Sequence, residues 1–519
     1  MKKWLVALLL VGWLVSPVQA RKPNILFIFT DDQAPWALGV SGNRLAKTPH
    51  MDRIAREGAY LPNSYTVTPV CSPSRAALMT SRYGTEVGIT DWIHPRREAK
   101  LGLDPKLPVW PRELKKAGYH TALVGKWHLG RQDNQHPTRY GFDHFMGHRQ
   151  GGWSPVNPTL EKDGTNRKFE GLTADVLADE ALAYVRANRS HPFLLCWHTR
   201  APHARWLPVA EEDMAPYKGV DVPIPNPDYP KLDVPRVKRM TREYLASVRS
   251  VDRNVGRMLK ALDDLKLADH TIVIFSSDHG YNMGHNGIWH KGNGHWVLKP
   301  PPPATDNVPR GQRPNMYDNS IKVPTMIRWP GVIRPGTVVK QTVSNLDWFP
   351  TILAMAGVPT QASWHLRGRD FTPLLKGRKP ADWDNTYYAE YSTHHQSRTH
   401  MRMISTGQWK LIRDFLNPER DELYHLAKDP DEATNLIGSK DPGVRSVVTD
   451  LHTVSNAEGL DTTDVNIDEM LASIITETVK KWAQMETAHI ETSVESGHEE
   501  EELTDRAWVI ETNDKMLDR

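Results

Sequence analysis

Cysteine is nearly absent. Only Cys71 and Cys196 occur in 519 residues, which excludes a fold held together by a disulfide framework. An excess of one charge is also missing. The chain has 65 Lys and Arg against 62 Asp and Glu, a formal net charge of +3, and this implies no nucleic-acid-binding stripe. After the first 20 residues no apolar run is long enough to cross a bilayer. No internal repeat is visible. Histidine and tryptophan are plentiful, at 23 and 18 residues. Trp-rich surfaces suit sugar rings, although large aromatics more often fill cores.

Residues 1–20 read as a secretory signal peptide that is not part of the fold. Lys2 and Lys3 form a charged start, residues 4–15 are apolar, and Val18-Gln19-Ala20 is a small-residue cleavage site. The apolar run is short for a membrane anchor. The mature chain is expected to start near Arg21 and to be exported, periplasmic or secreted, without stable membrane insertion.

Strand and helix patterns then alternate. Residues 24–30, 120–124, 192–198, 271–275 and 323–329 read as short strands, the first of them buried in a parallel sheet. Helices are predicted over 48–57, with Thr48 as cap and Pro49 at the first position, and over 111–116, 173–188, 241–265 and 346–356. Residues 204–240 read as Pro-rich and irregular, and 280–316 as one long loop, a length that is usually functional or disordered. The alternation predicts an α/β fold over 21–383, a large mainly parallel sheet flanked by helices. Residues 384–445 are expected to form a smaller C-terminal α+β domain on an antiparallel sheet. Its strands are predicted at 386–391, 401–405 and 410–413, followed by a turn at the D-E-L-Y-H-L stretch. Residues 446–519 are polar, helix-prone and locally acidic, and read as a peripheral extension.

The candidate chemistry lies at strand ends and at one helix. Asp31-Asp32 follows the first strand and Asp278 follows the strand at 271–275, at the edge where ligands bind in open α/β sheets. Carboxylates converging there suit a hard cation such as calcium, although each alone is as readily a loop cap. Cys71-Ser72-Pro73-Ser74-Arg75 opens a short helical pattern with Ala76, Ala77, Leu78 and Met79 as its apolar face. Pro73 fits the first turn, and Cys71 sits where backbone N–H groups favour negative charge. Arg75, one turn on, can point to the same spot. The arrangement can hold an anion beside a reactive side chain. In isolation a buried structural cysteine is the better reading, as expected for Cys196 within its apolar run.

C-x-P-x-R before a short helix and Gly84 resembles the signature of the type I sulfatases, in the alkaline phosphatase-like superfamily. Four more blocks resemble that family in the same order: Asp31-Asp32, Gly125-Lys126-Trp127-His128-Leu129-Gly130, Ala201-Pro202-His203 and Asp278-His279. Together the blocks span roughly residues 22–436. The resemblance implies that a maturation enzyme oxidises Cys71 to Cα-formylglycine. It also implies one calcium held by Asp31, Asp32, Asp278, His279 and the side chain made from Cys71. His279 departs from the commoner Asn, and imidazole is a poor calcium ligand. By the same resemblance Lys126 and Lys291 bind sulfate oxygens and Arg75 adds positive charge. His128 would hydrogen-bond the formylglycine hydrate, and His203 would protonate the leaving alcohol, with His198 as a rival. Arg313, before Met316-Tyr317-Asp318, matches a substrate-binding position of some relatives.

The implied reaction is hydrolysis of a sulfate ester. One hydroxyl of the hydrated aldehyde attacks in line while the leaving oxygen takes a proton; the other then expels sulfate. A sulfated carbohydrate is the favoured substrate class. The reasons are the predicted export, the His- and Trp-containing loop after Asp278, and His94, Arg96 and Arg97 near the predicted mouth. An aryl sulfate remains open. Two alternatives stand beside this reading: a phosphonate monoester hydrolase or phosphodiesterase of the same superfamily, and an exported sulfated-glycan-binding protein without turnover.

Overall fold

The computed structural model describes residues 22–457. The predicted signal peptide at 1–20 and the part of the predicted extension beyond Ala457 lie outside them. The chain divides into one unit ending at Val444 and another beginning at Arg445. The described residues of the second are helical.

Three apolar runs, Asn24–Thr30, Phe193–His198 and Thr271–Ser277, are buried along their whole length. Strands of this composition need cover on both faces. They form the middle of a ten-stranded sheet in the order 337–338, 59–60, 326–328, 271–277, 24–30, 193–198, 120–126, 144–148, 159–162, 165–168. The five strands from 271–277 to 144–148 run parallel. Antiparallel strands follow on both sides, Met326–Arg328 on one and the hairpin Thr159–Lys162/Thr165–Lys168 on the other. This is the predicted α/β architecture.

Side chains on these strands alternate between two cores. Leu26, Ile28, Leu195, Trp197, Val273 and Phe275 pack with helices Thr173–Ala187 and Val234–Asp264. Ile25, Phe27, Leu194, Cys196, Ile272 and Ile274 pack with helices Cys71–Thr80, Trp110–Lys116 and Trp348–Met355. Cys196 is a buried free thiol, as expected.

The structure departs from the sequence reading in several places. The longest helix starts at Val234 instead of 241, because Asp233 caps the Arg236 N–H and Pro235 is tolerated in the first turn. The stretch 280–316 is not one loop. It carries a four-stranded antiparallel sheet of Asn282–Met283, Ile288–His290, Asn293–Trp296 and Gln312–Pro314. The D-E-L-Y-H-L stretch contains a strand, Glu422–Tyr424, which closes the sheet formed by Tyr387–Tyr391, Met401–Ser405 and Lys410–Asp414. That C-terminal sheet shares a core with Tyr65, Val67, Val70 and Ala77, around the start of the Cys71 helix. Among the described residues no helix is long and apolar enough to cross a membrane.

Candidate active site

Register brings the site together. Thr30 lies opposite Ser277, Phe29 opposite His198, Gly125 opposite His198, and Lys126 opposite His148. Four parallel strands therefore end almost level. They deliver Asp31-Asp32, Asp278-His279, His198 and Lys126 to one edge. Gly125 is required at the crossing: its φ is +117°, and a Cβ there would stand 1.8 Å from the His198 carbonyl oxygen. Lys291 comes from the turn between Ile288–His290 and Asn293–Trp296. Gly292 N–H donates to the Pro69 carbonyl at 3.0 Å, which fastens that turn to the approach to Cys71.

The centre is a buried cage of opposite charges. Lys126 Nζ donates to Asp31 Oδ2 at 2.7 Å, and Lys291 Nζ donates to Asp32 Oδ1 at 2.7 Å. Cys71 Sγ lies 3.0 Å from Lys291 Nζ, 3.5 Å from His279 Nε2 and 3.8 Å from Asp31 Oδ1. His279 Nε2 is 3.2 Å from Asp32 Oδ1 and 3.3 Å from Asp278 Oδ1. Asp32 and His128 hold left-handed backbone angles, φ 67° and 57°, a strain that clusters at functional sites.

The charges set the protonation states. Burial alone would push the Cys71 thiol up. Lys126 and Lys291, with the neighbouring His128 and His279 rings, hold it well below the ordinary thiol range. The two neighbouring carboxylates diverge. Burial raises Asp31 well above its usual value, with Lys126 offsetting only part. Burial also opposes ionisation of Asp32, but Lys291, His203 and His279 outweigh it and lower the value. His203 is pushed down to about 3, first by burial, although Asp32 pulls the other way.

The donors fit a cation. Asp31, Asp32, Cys71 and His279 are buried, and each brings a ligand atom within 4.8 Å of the others. Asp32 Oδ2 is buried with no hydrogen-bond partner among the described residues, the state a cation relieves. Asp278 Oδ1 accepts the Asp32 N–H at 3.1 Å and so borders the same cluster. Carboxylate oxygens suit calcium; the His279 imidazole is the member that suits it least.

The remaining expected residues divide into those facing the cage and those behind it. Arg75 does not face it. Its Nε and Nη2 hold Asp278 Oδ2 at 3.0 and 2.9 Å, Nη1 donates to the Lys126 carbonyl at 3.1 Å, and the guanidinium lies over Phe29. His198 is turned to the Lys126 carbonyl, 3.2 Å from Nδ1, and packs on Phe29. His203 Nε2 stands 3.9 Å from Asp32 Oδ2 on a side chain that keeps 21% exposure, so it borders the opening. His128 Nε2 is 3.1 Å from the Ile93 carbonyl, and its Nδ1 has no partner among the described residues. Arg313 is not brought to the cage. It packs against Trp296 and Tyr317 and pairs with Glu422 and the Tyr317 hydroxyl. It therefore ties the 312–314 strand to the C-terminal sheet.

Several supports were not anticipated. Ser74 donates to the Asp278 carbonyl and takes hydrogen bonds from Thr66 and Asn345. Its place inside C-S-P-S-R was the available signal. Asn315 holds the Lys291 carbonyl at 3.0 Å, and the Tyr244 hydroxyl donates to the Asp32 carbonyl at 2.7 Å. Neither carries a local signal.

Comparison with known proteins decides the family. Residues 23–358 match the family model described as Sulfatase. The chain belongs to the sulfatase family. It is thus a sulfuric ester hydrolase by descent. A second model, N-sulphoglucosamine sulphohydrolase, C-terminal, matches residues 312–458 of this sulfatase. It is 32% identical to the human N-acetylgalactosamine-6-sulfatase, over 69% of this chain and 67% of that one. It is 27% identical to the N-acetylglucosamine-6-O-sulfatase of Bacteroides thetaiotaomicron, over 81% of this chain and 83% of that one. Among solved structures it resembles Ps i-CgsB in complex with k-i-k-neocarrahexaose. The TM-score is 0.66 at 26% identity, covering 84% of this chain and 93% of that one.

Proposed function

We propose that this sulfatase removes sulfate from a sulfated carbohydrate, using formylglycine made from Cys71 and a calcium ion held by Asp31, Asp32, Asp278 and, less aptly, His279. The observation that carries the reading is the meeting of Lys126, Lys291 and three carboxylates around the single buried side chain of residue 71. The carbohydrate class rests on two relatives named for 6-sulfated amino sugars and on a structural neighbour solved with neocarrahexaose. Residues 1–20 support export.

When present, formylglycine supplies a hydrated aldehyde as oxygen nucleophile, and calcium supplies positive charge beside it. The protein's own residues do the rest. Lys126 and Lys291 set two ammonium groups where the sulfate oxygens must lie, and charge of that kind is worth most in a water-poor site. Lys291, 3.0 Å from Sγ, also steadies negative charge on residue 71. His128 offers a free Nδ1 that can take a proton from that residue. His203, oriented by the Ala204 carbonyl 2.5 Å from Nδ1, presents Nε2 at the opening. Burial and the nearby lysines disfavour its protonated form, and an arriving anion favours that form, which can donate to the leaving oxygen. Arg75 acts through Asp278, and His198 through the Lys126 backbone; both are positioning residues.

The test is the mass of the Cys71 peptide from protein made in its own host, paired with rates on 6-sulfated N-acetylglucosamine, an aryl sulfate and a phosphate monoester. An aldehyde at residue 71 with fastest turnover of the sulfated sugar is expected. An unmodified thiol in an active preparation overturns the nucleophile assignment. Preference for the aryl sulfate or the phosphate ester overturns the substrate class.

A further inference from the structure

A second cluster of metal-ligating side chains lies outside the catalytic cage, where the 91–98 loop meets the 392–400 segment. Glu98 stands between two consecutive imidazoles. His394 Nε2 is 2.9 Å from its Oε1, and His395 Nε2 is 3.0 Å from its Oε2. One ligand atom from each of the three lies within 4.8 Å of the others. We propose that Glu98, His394 and His395 form a second metal site, for a borderline divalent transition ion such as Zn2+, which clamps the 91–98 loop to the 392–400 segment.

The donor set argues for that ion. Two imidazoles and one carboxylate with a further position open to water match a three-ligand zinc site, whereas calcium prefers an all-oxygen shell. Ligands around zinc at about 2.1 Å stand roughly 3.4 Å apart in a tetrahedral arrangement, so only a small spreading of the present contacts is needed. The ligands are also held from behind, as metal ligands are. Asp91 Oδ2 takes the His394 N–H at 3.0 Å and the Thr393 hydroxyl at 2.7 Å. Glu98 Oε2 takes the His94 N–H at 2.7 Å. Trp92 packs on the His395 ring at 4.6 Å, and its carbonyl, 2.9 Å from His395 Nε2, is a contact that the ion would displace. An entry path exists, since the His394 side chain is 48% exposed while that of His395 is 5% exposed.

The clamp reaches the chemistry through the backbone of Ile93. Its N–H donates to Ser72 Oγ at 3.0 Å, beside Cys71, and its carbonyl faces His128 Nε2 at 3.1 Å. The ion therefore steadies the loop against which His128 is oriented, without touching the reacting atoms.

The test is titration of Co2+ and Zn2+ into the full-length protein saturated with calcium, for the wild type, His394→Ala, Glu98→Gln and Cys71→Ser. The wild type should bind one equivalent and show the visible spectrum of tetrahedral Co2+. His394→Ala and Glu98→Gln should each weaken binding at least about tenfold. Cys71→Ser should leave it unchanged, and Zn2+ should raise the Tm of the wild type but not of His394→Ala. Absence of stoichiometric binding overturns the proposal. So does full affinity in both His394→Ala and Glu98→Gln, or loss of binding in Cys71→Ser, which would place the ion at the catalytic cage. His394 is half-exposed, so its variant reports even where Glu98→Gln fails to fold.

Discussion

Two buried charge clusters in this protein use the same residue types for opposite ends. Beneath the C-terminal sheet, Lys410 Nζ bonds Asp318 Oδ1 at 2.7 Å and Glu432 Oε1 at 2.6 Å. Lys322 takes Asp318 Oδ2 at 2.8 Å, and Glu432 Oε2 takes the Asp318 N–H at 2.6 Å. Every carboxylate oxygen there is partnered. In the cage Asp32 Oδ2 and His128 Nδ1, and behind it His198 Nε2, are not partnered within the protein among the described residues. A closed cluster is a strut. A cluster with unspent hydrogen-bonding capacity, one side of which reaches the opening through His203, is a site.

The sharpest way to break this comparison is at residue 71. Cys71→Ala should reduce sulfate release to background in a steady-state assay while the thermal transition stays close to wild type. A fully active variant would sink the nucleophile assignment. Lys410→Ala should do the reverse. It leaves the buried Glu432 without a counter-charge and Asp318 with Lys322 alone, and should cost roughly 3–5 kcal/mol in denaturant unfolding, with little change in kcat of the protein that remains folded. Lys126→Ala removes one donor from the anion site. It should lower kcat/KM about 100- to 1,000-fold, roughly 3–4 kcal/mol of transition-state stabilisation.

The smallest effect concerns a buried group with no counter-charge at all. His400 is pushed down to about 4 by burial, reinforced by Arg402. Its folded value is below the unfolded 6.5, so the unfolded chain takes up the proton first as pH falls. Stability is therefore full above about pH 6.5 and declines between there and about pH 4. Between pH 7 and pH 5 this histidine should account for about 2 kcal/mol of that loss. His400→Gln should flatten the stability difference between those two pH values; an unchanged slope would show that other histidines carry it.

What could be read from the sequence depended on whether partners were near in the chain. The strand at Asn24–Thr30 and the helix from Cys71 announce themselves through contiguous apolar runs and a Pro-containing first turn. The residues gathered around the cage were legible because Cys71, Lys126, His128 and Asp278 each sit in short motifs. The small sheet at 282–314 was not legible. Its strands span two to four residues and are poor in β-branched residues, so Gly, His and Asn look like loop. The helix start at Val234 was hidden by Pro235, which is a breaker everywhere except in the first turn. Arg313 was misplaced because its partner Glu422 lies 109 residues away. The pairing of Glu98 with His394 and His395 spans 296 and 297 residues and leaves no trace in any short window.

The alternation of side chains along Asn24–Thr30 has a genetic consequence. Leu26 and Ile28 belong to one core and Ile25 and Phe27 to the other, and Asp31 follows directly. A conservative substitution disturbs one core locally. An in-frame deletion of a single codon in this strand would exchange the contents of both cores and swing Asp31 to the wrong face. Across a library of random lesions, residues 24–30 should accept many single replacements and no one-codon losses.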